Sequence, residues 1–130
     1  MHERNNENSK IWEYEKYHVM MHNYNNYTEI KTMIKLGHSY DAIKTRIDEI
    51  LNTPIQRSAF LNTFQHLWGY FKKYATQNEK ALYATFVNQL QTTSPSYDTC
   101  IQFIQNLAIK YEEQYLLNSS IMTLSFHETI

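Results

Sequence analysis

A chain of 130 residues is long enough for one domain with its own core and too short for two of usual size. Two glycines and two prolines leave little punctuation for β-hairpins, and 15% aromatic content supplies bulky anchors, so composition favours an all-α fold. A formal charge of −1 does not announce a nucleic-acid binder. Its distribution is uneven, however: from Pro54 to Lys80, four cations (Arg57, Lys72, Lys73, Lys80) meet only Glu79, whereas from Asp98 onward Lys110 meets Asp98, Glu112, Glu113 and Glu128. Cys100 stands alone, which excludes an internal disulfide and a Cys-based zinc or iron–sulfur site within one chain and points to a reducing compartment. No apolar run approaches the roughly 20 residues needed to cross a bilayer, and the start of the chain is too polar for a signal peptide. The expectation is a cytoplasmic protein with no membrane partner.

In chain order, residues 1–9 are Asn-rich and read as an irregular start. Helical periodicity then runs from about Lys10 to Leu36, closed by Gly37 at C′, and a short helix starts after Ser39 and fades by Asn52-Thr53. Thr53-Pro54-Ile55-Gln56 combines a capping-box pattern with Pro at the first helical position, and opens a helix expected to end near Ala75. Thr76-Gln77-Asn78-Glu79 is a second capping box and begins a helix to about Gln91. Ser94-Pro95 launches a fifth helix to about Leu117, and residues 119–130 read as a tail. Five helices with short connections predict a compact all-α bundle over residues 10–118.

The third of these helices is the most informative. At about 100° per residue, Phe60, Phe64, Leu67, Phe71 and Tyr74 fall on one side, with Trp68 toward it; Asn62, Gln65, His66, Gly69 and Lys73 fall on the other, with Tyr70 at the border. Glycine inside a helix costs roughly 1 kcal/mol relative to alanine, so Gly69 marks a close approach, by a neighbouring helix or by a ligand. In the first helix, His18, His22 and Glu29 project within about 40° of one another, apart from the arc of Tyr17, Met20, Met21, Tyr24 and Tyr27. If the two strips face each other, His22, Glu29, Asn62 and His66 gather round Gly69.

These motifs carry a resemblance. Asn62-x-x-Gln65-His66-x-Trp68-Gly69-Tyr70-Phe71-Lys72 resembles the signature of the YbgA-like domain, a small helical domain of unknown function. Upstream, Lys16-Tyr17-x-x-Met20-x-His22 followed by Tyr27-x-Glu29-Ile30 is similar to the first helix of that family, with weaker echoes at Arg57, Glu79-Lys80 and Gln114-x-x-Leu117-Asn118. Two departures fall near the C-terminal part: Ser119 stands where the family has Pro, and no glycine occurs around Thr92-Thr93. YbgA-like domains occur alone or fused behind a domain resembling thiouracil desulfidases, whose iron–sulfur cluster is held by cysteines. The resemblance implies the accessory half for this chain: an RNA-holding module, for tRNA and thiolated tRNA above all, without a cofactor of its own and acting with a separate desulfidase.

Three functional readings follow. In the leading one, Arg57, Lys72, Lys73 and Lys80 contact phosphates, Tyr70 and Trp68 stack on bases, and Asn62, Gln65 and His66 read base edges or sugar hydroxyls, with Lys16, Lys31, Lys35, Lys44 and Arg46 extending the basic surface. Binding candidates are thus Lys16, His22, Tyr27, Glu29, Arg57, Asn62, Gln65, His66, Gly69, Tyr70, Lys72 and Lys73. The second reading is a small-molecule or metal-dependent enzyme on His22, Glu29 and His66, since His18-x-x-x-His22 has ligand spacing on a helix. The third is a protein-interaction module anchored by exposed tyrosines. Cys100, early in the last helix, reads as a small buried apolar residue rather than a nucleophile, and two distant glycines leave no phosphate loop.

Overall fold

The computed structural model describes residues 2–92 and 97–125. Among them are seven α-helices and no strand: α1 (His2–His22), α2 (Tyr24–Lys35), α3 (Tyr40–Leu51), α4 (Arg57–Trp68), α5 (Gln77–Thr92), α6 (Tyr97–Lys110) and α7 (Gln114–Leu117), followed by a 3₁₀ turn, Ser120–Thr123. The all-α expectation stands, with seven helices in place of five. The proposed start at Ser94-Pro95 lies outside the described residues.

Two breaks raise the count. The first long helix divides at Asn23, whose extended backbone (φ −166°) interrupts the spiral and whose carboxamide oxygen accepts the N–H groups of Asn25 and Asn26 as an N-cap for α2. The last divides at Glu112, which takes φ +51°. The Glu112 N–H donates to the Ile109 carbonyl and the Glu113 N–H to that of Ala108, the paired bonds of a Schellman motif. Gly37 closes α2 in the same way at φ +78°, with its N–H on Ile34 and that of His38 on Met33. At Gly37 the sequence announces the stop; at Glu112 a residue that rarely adopts this conformation makes it.

Ser39 caps α3 through a bond from the Ala42 N–H, and the Thr76–Glu79 capping box closes reciprocally at 2.8 and 3.1 Å. The Thr53-Pro54 pattern does not cap its helix. Thr53 Oγ1 donates back to the Ile50 carbonyl, and α4 starts three residues later behind Gln56, which makes no side-chain cap.

Two apolar clusters form, one on each side of α1. Tyr17, Met20 and Met21 join Phe60, Phe64, Leu67, Trp68 and Phe71 with residues of α5–α7 and Ile121; Val19 joins Ile30, Ile43, Ile47 and Ile50 of α2 and α3. Tyr27 packs against both. His22 is buried at the end of α1 and Glu29 is turned to Arg46, so the first-helix stripe does not survive folding as a ligand surface. The ends are also more structured than the sequence implies: Asn8 is buried with its amide donating to the His38 carbonyl, and Ser119, Ser120 and Ile121 are buried in what reads as a tail.

Candidate functional site: the polar face of α4

The assignment of α4 faces holds for Phe60, Phe64, Leu67 and Phe71, all buried. Trp68 is buried too, stacked on Tyr83 at 4.4 Å, which removes it from base stacking. Tyr74 departs: it is 65% exposed. The α-helix stops at Trp68, and 69–74 continue as tight turns, with the N–H groups of Gly69, Tyr70 and Phe71 each reaching back three residues. The tighter winding carries Tyr74 off the Phe side.

Gly69 therefore ends the helix rather than lying within it. A Cβ built there would sit 3.0 Å from the carbonyl oxygen of His66, and no described atom of another element lies within 4 Å. The close approach read from this glycine is the chain's own carbonyl, not a neighbouring helix.

The four residues expected to gather round Gly69 do not. His22 is 6% exposed, and its Nδ1–H donates to the Thr53 carbonyl at 2.9 Å, while its own carbonyl accepts the Gln56 N–H. Burial, with a smaller contribution from nearby His18, holds this imidazole below its ordinary pKa. Glu29 turns to α3, where Arg46 grips both its oxygens at 2.8 and 3.0 Å and Asn26 donates to it; these bonds lower its pKa. His66 is exposed, its ring 5.6 Å from that of Tyr17. Among the described residues no three His, Cys, Asp or Glu side chains converge to hold a metal. The His22/Glu29/His66 constellation is thus dispersed over three places, and Cys100 is buried, its thiol pushed up to about 11 by desolvation.

What the structure does bring together is a surface strip along α4 and its closing turn. Gln65, His66, Gly69, Tyr70 and Lys72 line a shallow depression of about 430 Å³. At the other end, Asn62 shares a depression of about 330 Å³ with Gln56 and Ser58 and with Asn23 and Asn25 of the α1–α2 junction. Asn23, Asn25 and Gln56 were not singled out by sequence reasoning; the capping role of Asn23 is what carries those amides to α4. No Asp or Glu occurs between Glu49 and Glu79, so the strip is built of amides, an imidazole and ammonium groups. Lys73 and Arg57 are exposed at its two ends. Tyr70 is anchored rather than free, its hydroxyl 2.6 Å from that of buried Tyr17. Desolvation and this bond raise the Tyr17 pKa, so Tyr17 stays neutral and its bond to Tyr70 fixes the border of the strip.

The outlying candidates are used internally. Lys16 lies over the rings of Tyr17 and Tyr115 at 5.2 and 4.8 Å, Lys31 lies over Tyr27, and Tyr27 packs beside Trp12. Lys44 pairs with Asp48, and Arg46 with Glu29 and Glu49, so the basic surface does not extend evenly onto α3. No described helix is long and apolar enough to cross a membrane.

Among curated proteins and among solved structures nothing matches the chain. Residues 16–124 match the family described as Protein of unknown function (DUF1722), a span that begins at Lys16 within α1 and takes in α4 and its closing turn. The chain belongs to that family, the YbgA-like domains of unknown function.

Proposed function

We propose that the protein is a non-catalytic RNA-binding module, for tRNA and thiolated tRNA in the first place, that serves a separate desulfidase in the cytoplasm. One observation supports this most: the exposed strip of α4 and its turn combines amide and imidazole groups with Lys72 and Lys73 and contains no carboxylate. Ammonium groups suit phosphate oxygens, whereas amides donate and accept at base edges and ribose hydroxyls. The strip is shallow, which fits a polymer lying across it better than a small substrate enclosed for chemistry. With its only cysteine buried, the chain relies on a partner for any cluster-based step.

The test is filter binding of unmodified and thiolated tRNA across a salt series. Binding that weakens as salt rises is expected, with both affinity and slope reduced by the double change Lys72→Ala/Lys73→Ala. No binding at low salt overturns the reading.

A further inference from the structure

We propose a second binding site, argued apart from the RNA reading although it shares Tyr70 with the α4 strip: the bowl lined by Tyr70, Phe71, Tyr74, Tyr111 and Glu113 takes a small quaternary ammonium compound free in solution. The bowl encloses about 390 Å³ and is lined by Tyr70, Tyr74, Tyr111 and the Glu113 carboxylate over Phe71, whose own ring is buried. Among the rings open to solvent, Tyr74 and Tyr111 lie 6.0 Å apart and are tilted by 33°. Tilted rings make a concave surface of π-electron density, which attracts a rounded cation, whereas a flat base would need parallel faces.

The molecule supplies its own cation to several of its tyrosine rings, Tyr111 among them. Lys16 lies over Tyr17 and Tyr115, and Lys31 over Tyr27. The bowl has no lysine or arginine in its lining; Lys110, over Tyr111 at 5.1 Å, is bound to Glu79 at 2.6 Å and stays outside it. Glu113 supplies the counter-charge while one of its oxygens accepts the Tyr115 N–H at 3.2 Å. A primary ammonium brings three donors and would find too few acceptors here, but a methylated nitrogen carries charge without donors. Tyr74, the most open wall, stands on a turn fixed by the bond from its N–H to the Phe71 carbonyl.

The experiment is a titration of the whole chain with choline, followed by the NMR signals of the tyrosine rings, beside a titration with the uncharged isostere in which carbon replaces nitrogen. Saturable shifts with choline are expected, with the isostere at least about threefold weaker, as an attraction of cation for ring requires. Tyr74→Ala should weaken choline by a further several-fold without unfolding, since that side chain is largely exposed. Glu113→Gln, which keeps an oxygen for the Tyr115 N–H, should weaken choline while leaving the isostere unchanged. No shift with choline, equal binding of the isostere, or indifference to Tyr74→Ala overturns the assignment. Sedimentation with phosphatidylcholine vesicles in the absence of any response to free choline also overturns it, because the ligand would then be a lipid surface. Loss of RNA binding bears on the other proposal alone.

Discussion

The Nδ1–H of His22 donates to the carbonyl oxygen of Thr53 at 2.9 Å while the backbone carbonyl of His22 accepts the Gln56 N–H, so one residue grips the α3–α4 loop at two points. The grip needs Nδ1 to carry hydrogen, which the neutral imidazole satisfies in one tautomer, and burial favours that neutral form.

Stability should therefore fall with acidity in a defined window. The folded pKa of His22 lies below its ordinary value of 6.5, so the unfolded chain binds the proton first; the contribution is present above about pH 6.5 and is lost as pH falls through the folded value. Urea melts between pH 7.5 and 5 check this, and His22→Ala should flatten the dependence while costing about 1–3 kcal/mol at neutral pH.

Phe64 is 1% exposed and touches the rings of Tyr83, Phe86 and Phe103. Phe64→Ala should cost about 3–5 kcal/mol in denaturant unfolding.

The Thr76–Glu79 box offers a second acid window below the first. Although burial works against ionisation, bonds from Lys110, Tyr111 and the Thr76 N–H bring Glu79 to about 2. Its folded pKa lies below the unfolded one, so its contribution is present above about pH 4.5 and is lost as pH falls toward 2. Glu79→Gln should remove that segment of the stability profile, and Thr76→Ala should cost about 0.5–2 kcal/mol at neutral pH.

Three turn residues should answer substitution differently. Gly37 at φ +78° resists a side chain, so Gly37→Ala should destabilise by about 1 kcal/mol. Glu112 holds a similar conformation with a side chain already attached, so Glu112→Gly should stabilise by up to about 1 kcal/mol. Gly69→Ala sets a 3.0 Å approach to the His66 carbonyl against the better backbone entropy of alanine, and should change stability by less than about 1 kcal/mol. Thermal melts of the three variants check the opposite signs at Gly37 and Glu112 and the small size of the change at Gly69.

The legible parts of this fold are those written in short-range chemistry. Gly37, Ser39, the Thr76–Glu79 box and the four buried residues Phe60, Phe64, Leu67 and Phe71 could be read because each depends on neighbours within a turn or two. Asn23 could not, because nothing local distinguishes an Asn that caps from one that rides along a helix; the decision lies in α2 folding back on α1. Thr53-Pro54 has the local signal of a cap, but the Thr53 hydroxyl turns back to the Ile50 carbonyl while its backbone carbonyl accepts from His22. For the candidate site, Asn62, Gln65, His66, Gly69 and Lys73 were legible as a polar face with Tyr70 at its border, and the structure leaves Asn62, Gln65, His66, Gly69 and Lys73 exposed, with Lys72 beside them. Tyr111 and Glu113 were not, since they reach Tyr74 only through the reversal at Glu112, where no glycine marks the turn.

The placement of α1 between two apolar clusters makes the chain indivisible. Either cluster alone would lack a wall, so α2–α3 cannot peel away without stripping Val19, nor α4–α6 without stripping Tyr17, Met20 and Met21. Backbone amides in the middle of α1 should exchange with solvent only by global unfolding, and a cut between α3 and α4 should leave neither piece folded unless the two reassociate.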